Sequence, residues 1–254
     1  MIIDSHIHVG PMARQYVRDY SIEGLLAQMD RLGIDRSVSC NTYTLCEGDL
    51  EYGAEYGSRL YQETGGRILS YHYYTPKCQA RSLNVMEKYV EDPAYVGIKI
   101  HPAFVMTPAE DESFRPVWEF AKAHGLPIIS HTWDITSNPK QIYAFPDRFE
   151  RFIQEYPEVK FIMAHSGGRP GGIRAAAGLG KRYKNVMFDI AGDIWCNGAL
   201  EYLVGEVGAE RILYGSDYNM MDQQMMLGVV LGSKLSIKEK ECILCSNAIR
   251  LFEF

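Results

Sequence analysis

Two histidines near the start of the chain have a spacing that suits metal binding. His6 and His8 lie two residues apart in an apolar segment, residues 2–8. Side chains at that spacing share one face of a β-strand. Neutral imidazole is a common protein ligand of transition metals. If the segment is a strand, both rings project from its C-terminal end, where they can chelate one ion.

Other side chains that could do chemistry also lie where short apolar segments end. Every histidine except His124, which lies in a helix-like segment, follows this rule, and one lysine and one aspartate join them. The C-terminal ends of parallel strands meet at one edge of a sheet, so these side chains are expected to converge. The residues in question are His6, His8, His72, Lys99, His101, His131, His165 and Asp217.

The elements that must position these residues alternate along the chain between short apolar runs and longer amphipathic runs. Ser21 and Gly33 bound one of the longer runs as an N-cap and a C-terminal stop. Predicted strands are residues 2–8, 34–40, 68–74, 96–101, 127–131, 160–164, 186–190 and 212–215. Predicted helices are residues 22–32, 50–63, 83–91, 114–124, 148–156, 172–183, 200–207, 222–231 and 237–244.

This alternation predicts parallel pairing in βαβ units. Eight strand and helix pairs in 254 residues favour an α/β fold, a (β/α)8 TIM barrel forming a single domain over residues 1–254. The alternative is a doubly wound open sheet. In a barrel, catalytic groups lie at the C-terminal ends of the strands, which is where the polar residues fall.

The amino-acid composition argues against nucleic acid and membranes as partners. The chain is 46% hydrophobic with a net charge of −6, and it has no basic run that would suit nucleic acid or an anionic membrane. No apolar stretch is long enough to span a bilayer, and no secretion signal is evident. The scattered cysteines are expected to be reduced, as in a cytoplasmic protein. We expect a small-molecule substrate, and a homodimer is the commonest assembly for such a protein.

Five motifs resemble those of the amidohydrolase superfamily, in particular the branch that includes amino-carboxymuconate-semialdehyde decarboxylase and related hydrolases and hydratases. They occur in the expected order from one end of the chain to the other. The motifs are Asp4-Ser-His-Ile-His8, Gly97-Ile-Lys-Ile-His-Pro102, His131 on the fifth strand, Ala164-His-Ser-Gly-Gly168 and Tyr214-Gly-Ser-Asp217.

The resemblance implies that His6, His8, His131 and Asp217 bind one divalent metal ion, most often zinc. It also implies that His165 lies beside the metal without binding it tightly. Three nitrogens and one carboxylate oxygen suit zinc. Such an ion would activate water and polarise a substrate oxygen. His165 and Asp217 are the candidate catalytic residues, since either could move a proton of that water.

Lys99, His101 and Trp133 are further candidates for contact with substrate. Lys99 should face the barrel interior, where it could be a buried paired lysine or bind a substrate carboxylate. In binuclear members of the superfamily a lysine on this strand is carboxylated and bridges two metals, so a second metal is the alternative. Trp133 and Trp195 follow predicted strands and could form walls of a pocket.

The expected activity is metal-dependent hydrolysis of a small molecule. The alternative is non-oxidative decarboxylation of a small carboxylic acid on the same metal site. A decarboxylase needs a cation to hold the carboxylate, and Arg14, Arg169 or Arg174 could supply it. A third hypothesis is a non-catalytic metal-binding protein with a closed coordination shell and no pocket.

Overall fold

A computed structural model of the chain describes residues 1–12, 19–193 and 196–254, so Arg14 and Trp195 lie outside the described residues. Eight parallel strands form one sheet in which each strand pairs with the next along the chain. The strands are β1 Ile3–Ile7, β2 Arg36–Ser39, β3 Ile68–Tyr73, β4 Tyr95–Ile100, β5 Ile128–His131, β6 Phe161–Ala164, β7 Val186–Asp189 and β8 Ile212–Leu213.

The ring closes between the first strand and the segment that follows the short last strand. Ser5 N donates to Tyr214 O at 2.9 Å, and Asp217 N donates to His6 O at 2.8 Å. A parallel bridge joins Ile7 to Tyr218. The predicted (β/α)8 barrel is therefore confirmed, and the open doubly wound sheet is excluded because β1 and the end of β8 are joined.

Helices surround this ring in the alternation that the sequence predicts. Ser21 caps α1 by accepting a hydrogen bond from Gly24 N, and Gly33 ends it in the left-handed conformation. The helices are α1 Ile22–Leu32, α2 Thr42–Leu45, α3 Leu50–Glu63, α4 Gln79–Lys88, α5 Pro102–Val105, α6 Arg115–His124, α7 Glu150–Glu155, α8 Pro170–Arg182, α9 Ala199–Val207, α10 Gln223–Gly232, α11 Ile237–Glu241 and α12 Asn247–Phe252.

Several short elements between these helices were not predicted. The single-turn helices α2 and α5 follow β2 and β4, and a 3₁₀ segment, Pro139–Ala144, follows β5. The predicted helix 237–244 is also divided, because a π-helical turn at Cys242–Ser246 separates α11 from α12. None of the described helices has the length and apolar character needed to cross a bilayer.

Apolar side chains pack in two layers around the sheet. One layer fills the barrel interior and includes Ile3, Val38, Leu69, Ile129 and Ile162. The other lies between the strands and the helices and includes buried aromatic rings such as Trp118. Both layers hold the strand ends in place, so the side chains at the C-terminal mouth have a rigid support.

His72 does not belong to the group at the mouth, although it lies near the end of β3. Its ring stacks on Tyr95 at a centroid distance of 4.2 Å, in a small space lined by residues of α3 and α4. The expectation that it joins the other histidines is therefore wrong. Alternate residues of a strand face opposite sides, and Tyr71 and Tyr73 occupy the interior side.

Candidate metal centre

Three buried side chains from distant parts of the chain meet at the C-terminal mouth of the barrel. His6 lies on β1, His165 directly follows β6, and Asp217 lies in the segment that closes the ring. One ligand atom from each lies within 4.8 Å of the other two. His165 and Asp217 also have positive φ values of 62° and 65°. Such backbone strain in non-glycine residues is concentrated at functional sites.

The Asp217 carboxylate has a buried oxygen with no hydrogen-bond partner among the described residues. This oxygen, Oδ1, lies 3.3 Å from His8 Nε2 and 3.8 Å from His6 Nε2. The 3.3 Å approach lacks the alignment of a hydrogen bond. An unpartnered buried carboxylate oxygen is costly unless a cation or a donor balances it. The arrangement therefore fits a bound cation between the carboxylate and the two imidazoles.

Hydrogen bonds to the far side of the rings fix which nitrogen carries the proton on both β1 histidines. His6 Nδ1 donates to Asp189 Oδ2 at 2.9 Å, and His8 Nδ1 donates to the carbonyl oxygen of Cys40 at 2.8 Å. Neutral rings of this tautomer keep a lone pair on Nε2. Metal-binding histidines are held in this way by acceptors behind the ring.

His165 and His131 are held by the same device. His165 Nδ1 donates to the carbonyl oxygen of Ala191 at 3.0 Å, so its Nε2 is free. His131 Nε2 donates to Gln141 Oε1 at 2.9 Å, so its free nitrogen is Nδ1. The His131 and His165 rings lie edge to face at a centroid distance of 4.9 Å. His131 therefore borders the group of His6, His165 and Asp217 on its β5 side.

Burial favours the neutral forms of the His6 and His131 rings. It lowers the pKa of His6 well below its ordinary value of 6.5, and the Lys99 ammonium lowers it further. Burial, with the neighbouring His165 ring, likewise lowers the pKa of His131. Burial tends to raise the pKa of Asp217, but the neighbouring imidazoles outweigh it and the pKa is lowered. Neutral rings beside an ionised carboxylate are the forms that bind a metal ion.

Lys99 lies inside the barrel, as its alternation with Ile98 and Ile100 predicts. Its side chain is 1% exposed, and its Nζ lies 2.8 Å from His6 Nε2. Burial lowers the pKa of this ammonium. A cation on His6 Nε2 would take the lone pair that Lys99 now uses. Lys99 would then be free to donate to a ligand beside the cation.

Asp189 is a functional residue to which the sequence alone assigned no role. Besides holding His6, its Oδ1 accepts hydrogen bonds from His165 N at 2.7 Å and from Ala191 N at 3.0 Å. One carboxylate thus orients a ring on β1 and the backbone that carries His165. Its place at the end of β7 is the signal that could have found it, because catalytic and supporting groups collect at strand ends.

Trp133 and His101 line the β4 and β5 side of the centre. The His101 and His131 rings stack at 4.1 Å, and the Trp133 ring lies parallel to His131 at 5.9 Å. Trp133 also meets His165 edge to face at 5.1 Å. Burial lowers the pKa of His101 well below 6.5. Three parallel rings therefore form one wall beside the predicted ligands.

Two of the arginines proposed as carboxylate clamps, Arg169 and Arg174, lie in other surroundings, and Arg14 lies outside the described residues. Arg169 binds Asp193 through Nη2 at 2.9 Å and lies over the Trp133 ring at 5.1 Å. Arg174 is exposed on α8. Among the described residues, Lys99 is a cation in contact with a predicted ligand, His6.

The side chains gathered at the mouth of the barrel could bind a divalent cation. His6, His165 and Asp217 form the compact group, His8 adds a free Nε2 next to Asp217, and His131 borders the group. The ligand roles of His6, His8, His131 and Asp217, and the acid–base role of His165, remain predictions. A ligand atom of His165 lies within 4.8 Å of those of His6 and Asp217, so the geometry also allows His165 to be a ligand.

Comparison with known proteins identifies the family. The sequence model described as Amidohydrolase matches residues 3–254. The chain belongs to the amidohydrolase family. It is therefore an enzyme of the metal-dependent amidohydrolase superfamily. No curated protein matches the chain.

Solved structures share the fold of this amidohydrolase at low sequence identity. A 2,6-dihydroxybenzoate decarboxylase from Rhizobium has a TM-score of 0.75 at 15% identity, covering 99% of this chain and 98% of that chain. A 5-carboxyvanillate decarboxylase from Novosphingobium aromaticivorans, complexed with manganese and a nitrobenzoic acid, has 0.77 at 14%, covering 100% and 96%. The 4-oxalomesaconate hydratase of Rhodopseudomonas palustris has 0.74 at 18%, covering 100% and 96%.

Proposed function

We propose that this amidohydrolase is a metal-dependent hydrolase of a small molecule, acting through metal-activated water. The observation that carries the proposal is the unpartnered Oδ1 of Asp217, which lies 3.3 Å and 3.8 Å from the Nε2 atoms of His8 and His6. A carboxylate in that position can both contribute to cation binding and accept a proton from a nearby water.

His6, His8, His131 and Asp217 would hold the ion, and zinc is the ion we favour because three nitrogens and one oxygen suit it. When bound, a divalent ion lowers the pKa of water and polarises a substrate oxygen. Asp217 Oδ1 would accept the proton that the water loses. His165 Nε2, whose ring is fixed through Ala191, would orient the water or carry the proton to the leaving group. The wall of Trp133 and His101 would exclude bulk water.

The first test is metal content. Protein purified without chelator should carry about one equivalent of zinc or a similar ion, as a single metal site requires. His8→Ala should lose that ion. His124→Ala is the matched control, because His124 lies on α6 and its Nε2 pairs with Glu87 at 3.5 Å. Absence of bound metal even after zinc is added would remove the mechanism.

The second test concerns His165. His165→Asn should leave the metal content nearly intact while kcat falls by about 10²-fold or more, the scale of a lost general acid–base. If metal and activity disappear together in this variant, then His165 is a ligand. That result would agree with its place in the compact group and would move the proton-transfer role to Asp217 alone.

A second candidate function is non-oxidative decarboxylation, and Lys99 is the observation that favours it. Its buried ammonium next to His6 Nε2 is a cation that a substrate carboxylate could approach. The decarboxylases of similar fold agree with this alternative. Turnover in H₂¹⁸O separates the two reactions, because a hydrolase incorporates the label into its product, whereas a decarboxylase releases carbon dioxide and gains a proton.

A further inference from the structure

A cavity of about 300 Å³ lies between the helices α8, α9 and α10 and the ends of β6 and β7. Its buried end is formed by Ser166 and Ile190, which directly follow His165 and Asp189 in the chain. Neither His165 nor Asp189 lines the cavity. The cavity is therefore separate from the predicted metal centre, although the same two chain segments border both.

Most of the cavity wall is apolar and buried. Five apolar lining residues are no more than 5% exposed, namely Ile173, Ile190, Leu200, Leu203 and Met226. Val229 also lines the cavity and is 40% exposed, so the space opens to solvent beside α10. Protein interiors are close-packed, and an apolar cavity of about 150 Å³ already accommodates benzene. A space with this size and lining therefore suits a single aromatic ring or a short alkyl chain.

Two glycines of α10 contribute to this space. Gly228 and Gly232 both line the cavity, and a Cβ atom at either position would meet nothing within 4 Å. Neither has a positive φ that would require glycine. Gly228 lies inside the helix, where glycine costs stability relative to a larger residue. The backbone therefore does not require glycine at these positions, and what the two residues provide is room in the cavity.

The hydroxyl groups that line the cavity already use their hydrogens. Ser166 Oγ donates to the carbonyl oxygen of Asp189 at 2.5 Å, and Ser233 Oγ donates to the carbonyl oxygen of Val230 at 2.7 Å. A hydroxyl group has one hydrogen and two lone pairs, so both oxygens can still accept a hydrogen bond. They favour a ligand that donates one.

Glu201 is the one charged side chain among the described residues that line the cavity. Its Oε1 accepts a hydrogen bond from Lys234 N at 3.0 Å, and this bond lowers the pKa of the carboxyl group. The carboxyl group is therefore ionised at neutral pH. Because like charges repel, Glu201 disfavours a ligand with a negative charge.

We propose that this cavity is a second binding site, for a small apolar molecule that has a hydrogen-bond donor and no negative charge. A short-chain alcohol is the simplest ligand of this class. Its chain would pack on Ile173, Leu203 and Met226, and its hydroxyl group would donate to Ser166 Oγ. No predicted metal ligand lines the cavity, so the bound molecule is distinct from the substrate that the metal ion would activate.

The experiment titrates chelator-treated protein with 1-hexanol in a calorimeter, and hexanoate, which has the same chain length and an anionic head group, is the comparison. The parent protein should bind hexanol saturably and more tightly than hexanoate. Gly228→Leu should weaken hexanol binding by about tenfold or more, because the new side chain occupies the cavity. This variant should not lower the Tm, because leucine forms helices better than glycine.

Gly205→Leu is the matched control for the cavity. Gly205 lies on α9, a Cβ atom there would also meet nothing within 4 Å, and the residue does not line the cavity. This variant should keep the parent affinity for hexanol.

Glu201→Gln tests the selection against negative charge. It keeps the oxygen that accepts from Lys234 N and removes the charge, so the preference for hexanol over hexanoate should fall by about threefold. Glu206→Gln is its control, because Glu206 lies on the same helix, pairs with Lys181 and does not line the cavity. This control should keep the parent preference.

Absence of saturable hexanol binding by the parent protein would overturn the proposal, as would equal losses in Gly228→Leu and Gly205→Leu. The affinity for hexanol should be the same in zinc-loaded protein and in His8→Ala. Hexanol that binds only in the presence of zinc would place the alcohol on the metal ion and would also overturn the proposal. A parent dimer that binds no hexanol, and that Gly228→Leu converts to a monomer in gel filtration, would assign the cavity to a second copy of the chain instead.

Discussion

Each imidazole around the centre uses one ring nitrogen to donate to an acceptor behind the ring and keeps a lone pair on the other nitrogen, which in His6 accepts from Lys99 at 2.8 Å. The acceptors are a carboxylate for His6, backbone carbonyls for His8 and His165, and an amide for His131. Acceptors behind the ring fix both tautomer and orientation, and such partners contribute strongly to metal affinity. Asp189 differs from the other acceptors because both of its oxygens are used: one accepts from the His6 ring and the other from the backbone N–H of His165.

Asp189→Asn is therefore expected to weaken zinc binding by about 10- to 100-fold, because the amide no longer selects the right tautomer of His6. The measurement is competition for zinc with a chromophoric chelator. Asp193→Asn is the control, since its carboxylate pairs with Arg169 rather than with an imidazole. Equal zinc affinity in the two variants would show that Asp189 has no positioning role.

His72 gives a prediction about pH. Burial lowers the pKa of His72 from 6.5 to about 3. Between these two pH values the side chain is protonated in the unfolded chain and neutral in the folded chain. Its contribution to stability is complete above pH 6.5 and is lost as the pH falls toward 3. Between pH 7.5 and pH 5 this loss amounts to about 2 kcal/mol.

His72→Phe keeps a ring against Tyr95 and removes the titrating group. Its free energy of unfolding should therefore fall by about 2 kcal/mol less than that of the parent protein between pH 7.5 and pH 5. Urea unfolding at the two pH values gives both numbers. Parallel pH dependence of the two proteins would contradict the linkage.

At the scale of elements, the strands and longer helices could be predicted from the sequence, whereas the shortest helices could not. The strands and longer helices could be predicted because apolar periodicity extends over several turns or alternations, and α1 and α3 have the predicted bounds. Single-turn helices such as α5 have no period to detect. The side on which His72 lies depends on the register of β3 against β4, which shifts between Ser70 and Tyr71.

The candidate site also has a part that could be predicted from the sequence and a part that could not. His6, His8, His131, His165 and Asp217 could be predicted to converge, because each lies at the end of a strand in a fold whose strand ends meet. Their supporting acceptors could not, since Cys40 and Ala191 act through backbone carbonyls that carry no signal of residue type. The contact of Lys99 with His6 also depends on rotamers across the barrel interior.

The turn after β6 supplies a test of packing at this scale. Gly168 has a φ of 76°, and a Cβ atom there would overlap the Trp133 ring. Gly33 has a similar φ of 69°, but a Cβ atom there would meet nothing within 4 Å. Both Gly→Ala variants carry backbone strain, which is larger at Gly168 because its ψ of −75° lies outside the left-handed region that Gly33 adopts with a ψ of 28°. Only Gly168→Ala must also displace the tryptophan.

Gly168→Ala should therefore destabilise the protein by about 1–3 kcal/mol more than Gly33→Ala, the usual cost of overpacking. Thermal or urea unfolding of the two variants measures the difference. A similar loss of stability in both variants would mean that Trp133 can move aside without destabilising the protein. A tryptophan that moves should also change its fluorescence spectrum in Gly168→Ala alone.

At the scale of the whole molecule, the predicted ion joins elements that are far apart in sequence. His6 and His8 lie on the first strand and Asp217 follows the last, so a bound cation would reinforce the seam between them. Binding to the folded state alone stabilises it by about 2.7 kcal/mol at a ligand concentration 100 times the Kd. For a chain of this size that corresponds to a rise in Tm of about 5–10 °C.

Zinc should therefore raise the Tm of the chelator-treated parent protein by about this amount. His8→Ala should show no such rise, and His124→Gln, altered on α6, should respond like the parent. Differential scanning fluorimetry with and without zinc is sufficient. A rise of equal size in His8→Ala would show that the ion acts elsewhere on the surface.

The seam between the first strand and the segment around Asp217 has a consequence for biosynthesis. His6 and His8 leave the ribosome well before the carboxylate they face, which is made more than 200 residues later. A nascent chain cannot assemble the full donor set before that point. The full site could therefore bind metal only after Asp217 has been made, and uptake of the ion would mark the moment at which the two segments have met.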